Sequence, residues 1–462
     1  MKNFANTFFE KVGGYIAIVF TLLQVIGFFI NSIPVEAILI GSLIIPLRLF
    51  YLKRFEDASK NFARVYLWAG WDLSTVVLPT FMYDSYATMV YKKMVGAEIP
   101  ISEADVTFTI SIGVFALFLC FISSIWWRNE KSSDVEYVST LTRSQVIFWG
   151  VTLSLVSFGA TTIANIFSLG VYGESSIYLP FKMTAVINYF AFGFSWFLNF
   201  YLLDTFYQKR ISIVFPITMI VLMAILSSMA SLSKGQLISP IVSIIIYLII
   251  SKRFSNAILF SSIALFLGVF VIASFLSGYR DSRQAIYTKG FGAEAANYSM
   301  MKFTHRIFSD GITFMKFHAN ADSKGLNDML KQWNYSVSDV HTYSIDGKPQ
   351  GTLSTHSTGC VNLPAAYLFG YPFFIIFTIL ASLCASYIDY GLPRSTSIFA
   401  STIFRAYAAY AIARVYIAVS ALEMLTRAYN WSFSFISFPI LTIIIYILYL
   451  KFFCAKTQRS DF

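Results

Sequence analysis

Apolar residues occur along this chain in long unbroken blocks. They neither alternate with polar residues, as in a half-buried strand, nor keep to a narrow helical stripe. A helix needs about 20 mostly apolar residues to cross a hydrocarbon core about 30 Å thick. Twelve segments read as such spans: 12–30, 35–51, 65–83, 105–127, 145–168, 183–205, 211–230, 236–250, 255–276, 363–388, 396–420 and 432–450. The pattern predicts an all-α polytopic membrane protein with about 12 transmembrane helices. Barrel strands are shorter and alternate in polarity, so they do not fit. The third span is the weakest because it carries Asp72, and the eighth is short. The first has no clear small-residue cleavage site after it and reads as a signal anchor.

Composition agrees. Hydrophobic residues make up 57% of the chain and charged residues only 13%, against roughly 25% in soluble domains. That excludes a soluble enzyme, a nucleic-acid-binding domain and a disordered chain. The net charge of +10 comes from 34 Lys and Arg against 24 Asp and Glu. With the N-terminus in the cytoplasm, 18 of these cations fall on the cytoplasmic side, Arg48 counted among them, and 5 in short outer loops. This obeys the positive-inside rule and places both termini in the cytoplasm. Cysteine adds little, since Cys360 has no outward-facing partner for a disulfide.

The spans divide the chain into three parts. Residues 1–276 hold nine spans, 277–362 form one large outward loop, and 363–462 hold three spans and a cytoplasmic tail. Loops of more than about 15 residues usually carry function or are disordered. This one has apolar residues at helical spacing (Met300, Met301, Phe303, Ile307, then Ile312, Phe314, Met315), and a second helix is expected at 325–334. Such amphipathic pieces lie on a membrane surface and cover cavities. All four histidines of the chain sit here: His305, His318, His341 and His356. Histidine is the usual acid or base near neutral pH. Their spacing matches no metal-ligand pattern, so no metal site is expected.

Charges within spans mark function or a structural ion pair. The eleventh span carries Arg405 and Arg414 about half a turn apart, as each residue advances about 100°. Arg414 lies nearer the outer surface, and Asp72 is the candidate partner for a purely structural pair. A Ser-Leu-Ser-Lys-Gly turn at 231–235 places Lys234 at the outer interface. Lys234, Arg280, Arg283, Arg306 and Arg414 thus gather at the outer face, a set suited to an anionic phosphate or pyrophosphate headgroup. Anionic phospholipids would account for part of it.

With these features the chain resembles the Wzy-type O-antigen polymerases and, more distantly, the O-antigen ligases. The resemblance rests on many spans before one large periplasmic loop, on the turn Ser233, Lys234 and Gly235, and on Arg280 and Arg283 followed by His305 and Arg306. It also rests on His356 and Ser357 ahead of a span in which Gly370 follows. Two departures stand out: Lys234 where many relatives have arginine, and Ser357 where ligases prefer asparagine.

The resemblance implies a GT-C-like membrane glycosyltransferase of the bacterial inner membrane, with its active site facing the periplasm. It implies no cofactor, metal or nucleotide sugar. The donor would be a growing glycan on undecaprenyl pyrophosphate, and the acceptor one repeat unit on the same lipid. Arg280, Arg283, Arg306 and Arg414, with Lys234 assisting and Arg405 as a further candidate, would hold the leaving pyrophosphate. His356 is the first choice of base for the acceptor hydroxyl and His305 the second. Trp333 and Tyr335 are candidate sugar-stacking residues. Membrane lipids and a chain-length regulator of the polysaccharide co-polymerase type are the candidate partners, and nucleic acid is not. The rivals are an O-antigen ligase, which transfers polymer to lipid A core, and a lipid-linked oligosaccharide flippase.

Overall fold

The computed structural model describes residues 4–82, 102–127, 135–167, 169, 179–180, 183–231, 234–252, 311, 314–315, 317–318, 323–333, 340, 363–395, 401–413 and 433–458. Every predicted span is mainly helical over its described residues, with non-helical stretches such as 211–213 and 368–370, except 255–276, which lies outside them. Among the described residues five helices are long and apolar enough to cross a membrane: Val12–Ile30, Val35–Arg54, Glu103–Ser124, Arg143–Ile166 and Tyr371–Arg394. Shorter apolar helices run over Val214–Ser227, Pro240–Ile250 and Ile440–Phe453. This is the fold of a helical membrane protein.

Local chemistry sets where these helices begin. Ser102 accepts a hydrogen bond from Asp105 N, and the Asp105 carboxylate accepts from Ser102 N. Thr142 and Gln145 make the same reciprocal pair ahead of Arg143–Ile166. Each pair satisfies amide donors that a helix start leaves open. Both helices therefore begin two residues before the apolar blocks do. The third span differs more: its helix starts at Ala58, and Asn61 (φ −125°, ψ 32°) breaks it. Beyond the break, Ala63 N and Arg64 N donate to the Asp389 carboxylate, at 3.1 and 2.9 Å. Asp389 reaches them from a π-helical turn at Tyr387–Gly391 and caps the restarted helix.

Two large apolar cores stand out among the described residues. One joins the helices of residues 12–72, 103–124 and 371–386, with Tyr51, Trp68, Trp71, Leu117 and Phe374 fully buried. Phe314, Met315, Phe317, Leu330 and Val340 of the long loop belong to the same core. The loop is thus tied to the bundle by its apolar residues. The other core joins 194–208, 214–231, 234–250, 402–413 and the last helix, around Phe200, Phe206, Tyr247 and Tyr410. The expected loop helix is present as Ser323–Gln332.

The bundle has two distinct ends. The 22-residue Glu103–Ser124 helix is about 33 Å long. Its start meets His318, while just past its end the Ile125 carbonyl accepts from Arg54. Near Arg54's end lie Lys252 with Glu10 and Asp57, Arg64 with the Trp127 carbonyl, and Lys209 with the Ser139 carbonyl. At the opposite end Asn31 donates to the Thr80 carbonyl at 2.7 Å. Each of these contacts joins segments that the charge count placed on one side.

An antiparallel ribbon, absent from the sequence expectation, closes the basic end. Val135–Ser139 pairs with Cys454–Gln458, Ser139 opposite Cys454. Gln208 holds it, accepting from Ser139 N and donating to the Tyr137 carbonyl, both at 2.9 Å. The pairing requires an even number of membrane crossings between the two strands, as the predicted topology has. Ser139→Cys is therefore expected to form a disulfide with native Cys454 under mild oxidation, seen as a linked peptide by mass spectrometry. Burial pushes the Cys454 thiol up to about 11, so thiolate is scarce at neutral pH and the link forms faster as pH rises. Absence of the linked peptide at every pH would contradict this register.

Candidate functional site

The end opposite the ribbon holds the most suggestive polar arrangement. Asp105 sits at the third position of its helix because Ser102 caps it. One carboxylate oxygen, Oδ2, accepts from Ser102 N at 2.7 Å and from Ser102 Oγ at 2.6 Å. The other, Oδ1, lies 2.6 Å from His318 Nδ1. An ionised carboxylate only accepts, so this pairing places a proton on Nδ1; in the neutral imidazole the lone pair is then on Nε2. Phe108, one turn along the helix, stacks on the imidazole with centroids 4.6 Å apart and planes at 23°. Tyr367 meets Phe108 and Phe314 edge-on and completes an aromatic floor. The Asp105 side chain is 3% exposed and that of His318 39%. A sealed carboxylate thus orients an accessible ring.

Other carboxylates are engaged differently. Arg48 and Asp72 form a fully buried two-point pair, Nε to Oδ2 at 2.5 Å and Nη2 to Oδ1 at 2.7 Å. Gln24 accepts from Arg48 at 2.7 Å and donates to the Gly41 carbonyl at 2.8 Å. Asp204 accepts from Tyr247 and Gln208, both at 2.6 Å, beside a narrow cleft at the ribbon.

The sequence-predicted residues fare unequally. His356, Arg280, His305, Arg283, Arg306 and Arg414 lie outside the described residues. Lys234 opens the helix Lys234–Ile250, whose far end leads to Lys252 at the basic end, so its backbone lies at the opposite end. Arg405 lies within the described residues. It stands in the first turn of Thr402–Ala413 and donates to the Ser59 carbonyl at 3.3 Å. Ser59 adjoins Asp57 at the basic end, so Arg405 is remote from the His318 end. One expectation is corrected: among the described residues the partner of Asp72 is Arg48, not Arg405. Arg48, counted among the cytoplasmic cations, is buried inside the bundle.

Sequence reasoning passed over Asp105 as the edge of a span and left His318 as one of four histidines. The available signal was Ser102-x-x-Asp105, a helix-start pattern directly before an apolar block. Nothing in the sequence paired it with residue 318. No known protein family matches this chain, and neither a curated protein nor a solved structure does.

Proposed function

We propose that this protein is an O-antigen polymerase, a GT-C-like glycosyltransferase of about 12 spans in the bacterial inner membrane. It transfers a growing glycan from undecaprenyl pyrophosphate onto a lipid-linked repeat unit at the periplasmic face. The observation that carries the reading is the contrast between the two ends of the bundle. Arg54, Arg64, Lys209 and Lys252 gather at the ribbon end, as cytoplasmic loops require. The histidine-bearing loop packs onto the other end, where a lipid-linked sugar presents its reacting groups.

In this reading Arg280, Arg283, Arg306 and Arg414, with Lys234, neutralise the charge that develops on the departing pyrophosphate. Arg405, at the ribbon end, has no part in that role. A cell lacking the protein is expected to make lipopolysaccharide capped by a single repeat unit, resolved on a gel. Purified protein in nanodiscs is expected to lengthen lipid-linked repeat units. Complete loss of the cap in the deletion would point to a ligase instead. Failure to lengthen units in vitro, with polymer length unchanged in Arg280→Ala cells, would overturn the proposal.

A further inference from the structure

We propose that His318, oriented by Asp105, is the base that takes the proton from the acceptor hydroxyl, an assignment that rests on the polymerase reading above. Histidine is neutral and basic near pH 7, which suits a general base. Asp105 receives Nδ1–H at 2.6 Å, which leaves the lone pair of the neutral ring on Nε2. The carboxylate itself is tethered, because its second oxygen is held twice by Ser102. Phe108 fixes the plane of the ring. A clasp serving only stability would gain by burying both partners, yet here the carboxylate is sealed and the imidazole is 39% exposed. The pair sits at the first turn of a helix long and apolar enough to cross a membrane.

The step balances as follows. The acceptor oxygen bonds to the anomeric carbon of the donor as its proton passes to His318 Nε2. The bond between that carbon and the pyrophosphate oxygen breaks, and the electron pair leaves with undecaprenyl pyrophosphate. Asp105 stabilises the imidazolium without taking its proton. It is a positioning residue, acting only through His318.

The test is polymerisation of lipid-linked repeat units by the full-length protein in nanodiscs. His318→Gln retains an amide donor towards Asp105 but has no basic nitrogen. It is expected to lower kcat about 10²–10⁴-fold with little change in KM. Asp105→Asn should lower kcat about 10–100-fold. The double variant should be no slower than His318→Gln, since Asp105 then has nothing left to orient. Added imidazole should restore part of the rate of His318→Gly. Should His318→Gln fold poorly, the imidazole dependence of the glycine variant decides. A wild-type rate in His318→Gln, or additive losses in the double variant, would overturn the assignment alone. Wild-type protein that lengthens no lipid-linked unit would overturn the polymerase reading, and this assignment with it.

Discussion

Arg48→Ala is expected to destabilise the protein by about 3–5 kcal/mol, because it leaves the Asp72 carboxylate charged, buried and unpaired. Both side chains of the pair are fully buried. The guanidinium joins three helices: its own, that of Asp72, and that of Gln24 and Thr21, which accept from it at 2.7 and 3.2 Å. Asp72→Ala should cost a similar amount by stranding Arg48. Replacing both partners with apolar residues of similar volume, Arg48→Met with Asp72→Leu, should recover most of the loss, since no charge then remains to be solvated. Thermal unfolding of the purified protein, followed by size-exclusion fluorescence, measures all three. An unchanged melting temperature in Arg48→Ala would show that the charge finds water or another partner. Because the pair already satisfies both charges, the double variant should leave polymerisation intact.

The second large effect separates two adjacent glycines. A methyl group on Gly13 would lie 2.6 Å from the Leu52 carbonyl oxygen and 2.8 Å from Glu56 Cα. Both are backbone atoms, so no side-chain rotation relieves the clash. Gly13 N also donates to the Glu56 carbonyl at 3.1 Å, which fixes the approach. Gly13→Ala must push the first helix off the 52–56 turn, at about 1–3 kcal/mol for an overpacked contact. Gly14 is different, for its methyl would meet only the flexible Glu56 carboxylate at 3.5 Å. Gly14→Ala is therefore expected to be neutral or stabilising, by up to about 1 kcal/mol of helix propensity. Melting temperatures that fall in Gly13→Ala and hold or rise in Gly14→Ala would bear this out. Equal shifts would mean that the close approach at Gly13 is not tight.

Much of the architecture was legible in the amino acids. Removing an apolar side chain from water is favourable wherever it happens, so span positions follow from local composition. The gathering of Arg54, Arg64, Lys209 and Lys252 at one end agrees with the loop charges read from the sequence, as each cation in a loop acts independently of its neighbours. The starts of the 103–124 and 143–166 helices were legible to within two residues, the shift coming from the caps at Ser102 and Thr142. The broken third span was harder to read. Its restart after Asn61 depends on Asp389, more than 300 positions away in sequence.

The site was less legible. The residue types were present: a histidine-rich outward loop, arginines within spans, an aspartate at a helix start. Their partners were misassigned or unassigned: Asp72 was offered an arginine of the eleventh span but pairs with Arg48, and His318 was given no partner at all. The sequence by itself determined that the chain crosses a membrane many times and where its basic ends lie, because transfer of each segment into lipid depends on that segment's own residues. Only the tertiary structure decided which charges meet. A buried carboxylate has to find its donor among side chains that packing brings together from distant segments, as with Asp105 and His318, 213 positions apart.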